Sequence, residues 1–117
     1  MGARVEMSIV GNRGIWFAAL LAIASPGSAN TDRAEGLLFQ CAMAKVREYA
    51  AKSQETAPVV VEAALGSCSA ADAEFLEQIY ANFALGREDA AQAAYEDRLD
   101  FLRRQLLAVA VESRARP

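Results

Sequence analysis

The stretch Ile15–Ala24 is an unbroken run of ten apolar residues near the N-terminus, and its interpretation decides which residues belong to the folded domain. Two arginines precede this run, and the small residues Gly27 and Ala29 follow it. This order is typical of a secretory signal peptide, whereas a membrane span needs about 20 apolar residues. We therefore predict a signal peptide at 1–29, cleaved after Ala29, and a mature domain at 30–117.

The mature segment is a small acidic domain. Its 88 residues contain ten Lys and Arg and fourteen Asp and Glu, a net charge of −4. A chain of this charge lacks the basic field that draws in nucleic acid. We expect a periplasmic or secreted protein without a stable membrane span after signal cleavage. Translation can begin at Met1 or at Met7, because both starts keep Arg13 and the apolar run.

Cys41 and Cys68 are the only cysteines, and export would deliver both to an oxidising compartment. A helical hairpin would bring them to one level, since about 18 Å of helix leads away from Cys41 and about 15 Å leads back to Cys68. We predict a disulfide between them. A redox-active pair is the first alternative, but it usually needs closer spacing. A metal site is the second, but only two soft ligands are available.

Alanine dominates the mature segment and favours helices throughout. It contains twenty alanines, against three glycines and two prolines, and alanine is the best helix former. We predict an all-α fold: a helical hairpin plus two further helices, stapled by the disulfide. The expected helices span about 33–53, 58–65, 70–85 and 88–113. A strand competes at Val59–Val61, although no second strand is available to pair with it.

Capping patterns set the expected ends of these helices. Asp32 with Glu35, and Ser69 with Asp72, have the three-residue spacing of an N-terminal capping arrangement. We therefore expect helices to begin directly after Asp32 and Ser69. The last four residues, 114–117, are expected to fray.

The last helix carries a heptad-spaced apolar stripe with two interpretations. Its members are Tyr95, Leu99, Leu102, Leu106 and Val109. The stripe can pack inside the domain, or it can bind another envelope protein or a second copy through the C-terminal helix. Because this helix is expected to be about 39 Å long and the preceding one about 24 Å, we predict an overhang that exposes Val109 and Val111.

The residue types present argue against catalysis. Histidine is absent, which removes the commonest general base and zinc ligand. The acidic residues of the last helix are interpreted as a solvated face: Glu88, Asp89, Glu96, Asp97 and Asp100. We predict a non-enzymatic binding protein with no metal or cofactor. The alternative is a small envelope inhibitor of a hydrolase, a role like that of lysozyme inhibitors; a redox or metal-binding carrier ranks third.

Overall fold

The computed structural model describes residues 26–115, which form four α-helices. These are α1 (Pro26–Lys52), α2 (Ala57–Gly66), α3 (Ser69–Ala81) and α4 (Glu88–Ala115). No strand occurs within this range, so the predicted all-α, four-helix fold is confirmed. None of the four described helices is both long and apolar enough to cross a membrane. The predicted signal sequence before Pro26 lies outside the described residues.

The helices form three rods, because α2 and α3 follow one another along the same side of α1. α3 lies beside the first half of α1, where the Thr31 hydroxyl donates to the Gln78 carbonyl oxygen over 3.4 Å. α2 lies beside the second half, where the hydroxyl oxygens of Tyr49 and Ser67 are 2.7 Å apart. The α2–α3 pair is therefore one broken rod antiparallel to α1.

The third rod, α4, runs parallel to α1. Arg98 Nε donates to Glu35 Oε2 over 3.1 Å in the first half of both helices. Near their ends, Arg114 Nη2 donates to Ser53 O over 3.0 Å. This second contact corrects the prediction of a frayed tail at Arg114, because the guanidinium satisfies a carbonyl oxygen just beyond the end of α1.

The expected overhang of α4 is wrong, because two helices cover it rather than one; of the two valines expected to be exposed, Val111 is exposed and Val109 is partly buried. Tyr80 Oη donates to Gln92 Oε1 over 3.0 Å where α3 meets α4. Arg103 Nε donates to Glu62 Oε2 over 2.7 Å where α2 meets α4. α2 and α3 contain 10 and 13 residues, so in tandem they nearly match the 28 residues of α4.

A single core joins the three rods. All four helices contribute to its largest fully buried side chains, which are Phe75, Leu38, Leu106, Val46 and Val61. Burial of one such side chain contributes about 1.5–3 kcal/mol, whereas an exposed ion pair contributes about 0–1 kcal/mol. The apolar core therefore contributes most of the free energy that packs the rods together. The ion pairs between the rods contribute less.

Local sequence signals explain where the helices begin and end. Pro58 lies in the first turn of α2, where its missing N–H has no partner to lose. Gly86 has a φ of 87° in the link before α4, a backbone conformation that glycine adopts readily. α1 already begins at Pro26, so the predicted cap at Asp32 is wrong and this residue lies inside the helix.

α3 differs from its prediction at both ends. It ends at Ala81, four residues before the expected Leu85, and Asn82 follows as its C-terminal cap. Its N-terminal cap residue is Cys68, not Ser69. Asp72 does not cap the helix, because its carboxylate accepts a 2.7 Å hydrogen bond from the Tyr95 hydroxyl of α4.

Candidate functional site

An open groove of about 300 Å³ lies between the parallel helices α1 and α4. Its lining residues are Asp32, Glu35, Gly36, Phe39, Phe101, Leu102 and Gln105. This volume is at the lower limit of the range found for small-molecule sites, and it equals the space of roughly ten water molecules. The groove is therefore large enough to hold one or two side chains of a partner.

Gly36 opens the floor of this groove. It lies inside the 27-residue helix α1, where glycine costs about 1 kcal/mol relative to alanine. A Cβ atom built on Gly36 would meet nothing within 4 Å, so close packing inside this chain does not require a glycine here. The missing side chain instead leaves α1 backbone accessible from the groove.

Aromatic side chains form the apolar part of the lining. Phe39 comes from α1 and packs partly against the core, whereas Phe101 comes from α4 and keeps 38% of its surface exposed. The guanidinium carbon of Arg98 lies 4.7 Å from the centre of the Phe101 ring. This cation–π contact holds the ring in place at one edge of the groove.

The polar part of the lining is acidic. Glu35 is bound by Arg98, which also contacts Phe101, so one guanidinium orders a carboxylate and an aromatic ring together. Asp32 is exposed one helical turn before Gly36. The lining contains two carboxylates, of which Arg98 neutralises Glu35, so Asp32 leaves one uncompensated negative charge next to the aromatic surface.

The predicted disulfide is confirmed. Cys41 and Cys68 are bonded, with their Cα atoms 6.1 Å apart, and they join the middle of α1 to the corner between α2 and α3. Cys68 is buried, and Cys41 is partly buried against the core. The described part of the chain has no free cysteine.

The heptad stripe of α4 lies against the rest of the domain. Leu99, Leu102 and Leu106 are core residues, and Tyr95 and Val109 pack partly buried against the core. These contacts correspond to the intramolecular interpretation of the stripe, so it is not an open face of this monomer. Leu102 also reaches the α1–α4 groove and links the core to that surface.

Tyr95 makes the most specific polar contact of the stripe. Its hydroxyl donates to Asp72 Oδ1 over 2.7 Å, and its ring lies 5.8 Å from that of Phe75. Burial, followed by the hydrogen bond to Asp72, raises the pKa of Tyr95 well above its usual value of 10.0. The pair fixes α3 against α4.

The turn between α3 and α4 presents an apolar side chain to solvent. Arg87 N donates to Ala84 O over 3.1 Å, which closes a four-residue turn. Gly86 occupies its third position with a positive φ, as a type II turn requires. Leu85, at the second position, is 97% exposed.

The acidic residues singled out in the sequence are spread along α4. All five are exposed: Glu88, Asp89, Glu96, Asp97 and Asp100. Asp100 Oδ1 accepts from Arg103 over 3.0 Å, and Glu96 accepts from Gln92 over 2.9 Å. Across residues 26–115, no group of three or more acidic or sulfur ligands is placed to hold a metal ion.

The α1–α4 groove was not predicted from the sequence. Phe101 lies outside the heptad stripe of α4. Neither Phe39 nor Gly36 was singled out from the sequence. A glycine in a helix interior, together with aromatic residues beside the main apolar stripe, is the signal that could have pointed to an open groove.

Comparisons of this chain with protein-family models, with curated proteins and with solved structures found no match.

Proposed function

We propose that this chain is an exported, non-enzymatic binding protein of the periplasm or secreted space, and that the α1–α4 groove is its binding site. The observation that carries the proposal is Gly36. It leaves the groove open at a cost in helix stability that packing inside the chain does not explain. An open groove with aromatic walls and few polar groups has the composition of a binding site.

Export is supported by two independent features. The N-terminal segment has the order of charged, apolar and small residues that secretory signals share. The Cys41–Cys68 disulfide is of the kind that persists in oxidising compartments. N-terminal sequencing of the exported protein should read Asn30 first, and a chain retained whole inside the cell would contradict this part of the proposal.

Binding, as opposed to catalysis, is supported by the polar groups at the groove. The Glu35 carboxylate is engaged by Arg98, and Asp32 is exposed to water. Although only 14% of the Glu35 side chain is exposed, its carboxylate is held in an ion pair, and the Asp32 carboxylate is solvated, so neither has the arrangement of a general acid or base. The proposed role of the groove is therefore to hold a partner without changing it chemically.

The test compares capture by a filled groove with capture by an open one. The immobilised protein is incubated with periplasmic and secreted proteins, and the retained proteins are identified. Gly36→Leu places a side chain in the groove, whereas the control Ala44→Leu adds the same side chain to an exposed position of α1. A partner retained by wild type and by the control but lost with Gly36→Leu supports the proposal; equal retention by all three contradicts it.

A small inhibitor of an envelope hydrolase is the second candidate, and the Leu85 turn favours it. A hydrogen-bonded turn holds a fully exposed leucine clear of the bundle, and such an anchor fills a pocket on a partner at low entropic cost. The exposed Glu88 and Asp89 follow the turn and outweigh the single charge of Arg87, so the surface carries a net negative charge that complements a basic enzyme.

Inhibition assays with lysozyme and with proteases test this second candidate. If Leu85 is the anchor, Leu85→Ala should weaken inhibition by about 2 kcal/mol or more, near 30-fold in the inhibition constant. Val111→Ala is the control, because Val111 is also an exposed apolar residue but lies on α4, far from the turn. Absence of inhibition, or equal inhibition by both variants, excludes this role for the turn.

A further inference from the structure

We infer that the α1–α4 groove recognises a segment of a partner protein in which a Lys or Arg stands next to an apolar side chain. The inference rests on the proposed function, because it names what the same groove would bind. Three features of the groove carry it: its acidic rim, its aromatic wall and the open floor at Gly36.

Charge selects a cationic occupant. The lining contains two carboxylates, and the basic side chain that contacts it, Arg98, neutralises one of them. Glu35 is already paired with Arg98, so Asp32 is the carboxylate at the rim that is exposed to an incoming cation. A Lys or Arg beside Asp32 would gain an ion pair at the edge of an apolar surface, where screening by water is weaker than in bulk solvent.

The aromatic wall selects an apolar group beside that cation. Phe101 keeps 38% of its surface exposed, although Arg98 stacks on its ring and fixes it. An apolar side chain placed against Phe101 and Phe39 would remove apolar surface from contact with solvent. Since the ring is already ordered by Arg98, little side-chain entropy remains to be lost on binding.

The open floor favours a peptide segment over a bulky rigid ligand. A side chain of the partner can approach the α1 backbone at Gly36, where any residue with a Cβ atom would narrow the groove. A second copy of this chain is disfavoured as the occupant, because the mature segment has a net charge of −4 and would bring further negative charge to the rim at Asp32.

The experiment titrates capped, fluorescent pentapeptides into protein purified from cells that express the full chain. The probes are Gly-Leu-Arg-Leu-Gly, its Glu counterpart Gly-Leu-Glu-Leu-Gly, and Gly-Ser-Arg-Ser-Gly, which lacks the apolar side chains. We expect the first peptide to bind about tenfold or more tightly than the other two. Its binding should shift the NMR resonance of the Gly36 amide.

Two substitutions separate the contributions of charge and space. Asp32→Asn should reduce the preference for the Arg peptide over the Glu peptide to near one. Gly36→Ala should weaken the Arg peptide severalfold, while Gly66→Ala, which also adds a methyl group at an uncrowded helical glycine, should leave its affinity unchanged. Equal binding of the Arg and Glu peptides, or shifts confined to residues outside the groove, would overturn the inference.

The remaining outcomes distinguish this inference from the proposed function. If no pentapeptide binds but the capture experiment returns a partner that Gly36→Leu loses, the groove is a binding site and its proposed specificity is wrong. If sedimentation shows a dimer that Phe101→Ser dissociates, the occupant is a second copy, and the inference is again wrong. If capture and peptide binding both fail, both proposals are wrong.

Discussion

Cys41 and Cys68 bind the middle of α1 to the corner where the α2–α3 rod is broken, with 6.1 Å between their Cα atoms. The bond closes a loop with a sequence separation of 27 residues. It therefore fixes both halves of the broken rod to α1 at the one point where neither half is helical.

Reduction of this disulfide should destabilise the domain. By chain-entropy arithmetic the closed loop contributes about 3.5 kcal/mol, which for a domain of this size corresponds to a melting temperature lower by on the order of 15–25 °C. Thermal unfolding followed by circular dichroism is the measurement. Cys41→Ser and the reduced wild type should melt alike, and a melting temperature unchanged by either would contradict the stapling role.

Gly36→Ala should stabilise the protein. The alanine gains up to about 1 kcal/mol of helix propensity, and its Cβ atom meets nothing within 4 Å. Urea unfolding should show a higher midpoint with an unchanged slope. The same change at Gly66, the last residue of α2, should gain less because helix ends fray. A lower midpoint for Gly36→Ala would show that the groove floor is crowded.

Tyr95→Phe should remove a hydrogen bond that is specific to the neutral phenol. Loss of the bond to Asp72 should cost on the order of 1 kcal/mol at pH 7. The pKa of Tyr95 is raised in the folded state, so this stabilisation is complete below pH 10 and is lost as the pH rises further.

The pH dependence provides the check on Tyr95. Urea midpoints of wild type and Tyr95→Phe should differ by a constant amount from pH 7 to pH 9.5. Above pH 10 the wild type alone should lose the contribution of this phenol, and the difference should shrink. A difference that grows with alkaline pH would mean that the folded state favours the phenolate.

Arg114→Met should loosen the shared end of α1 and α4. The guanidinium donates to the carbonyl oxygens of Ala50 and Ser53 over 3.4 Å and 3.0 Å, and its loss should cost about 0.5–1.5 kcal/mol. Hydrogen exchange should quicken at the last turn of α1. Arg104→Met, at an exposed arginine of the same helix, should change neither the stability nor the hydrogen exchange of α1. Equal effects of the two variants would show that loss of a positive charge, and not loss of these hydrogen bonds, is responsible.

The sequence predicted helix ends well where a residue has one strong local preference. Pro58 marked the start of α2 to within one residue and Glu88 marked the start of α4, because proline suits a first turn and acidic side chains suit a helix N-terminus. Asp32 was misleading, since a carboxylate with the spacing of a cap also suits the interior of an exposed helix. The competing signal was Pro26, which lies inside the predicted signal peptide.

Contacts between helices that are distant in sequence were harder to predict than helix ends. The sequence predicted that Cys41 and Cys68 lie at the same height along the helical hairpin. The helical rise per residue was sufficient for this, because both residues lie on consecutive antiparallel segments. The parallel pairing of α1 with α4 could not be derived in this way, since more than thirty residues separate the two helices. The groove forms only because α1 and α4 pair in this way. The structure was therefore needed to show that Phe39, Phe101 and Gly36 line the same groove.

The early start of α1 sets a limit on proteolytic trimming. The bond after Ala29 lies within the first turn of the helix, so a protease must open that turn to reach it. Directly beyond this bond, Asn82 Nδ2 donates to the Thr31 hydroxyl oxygen over 2.8 Å and ties α1 to the end of α3. Removal of the predicted leader before α1 closes would leave the folded protein with a protected N-terminus, because any cut further along the helix would have to break contacts between the rods.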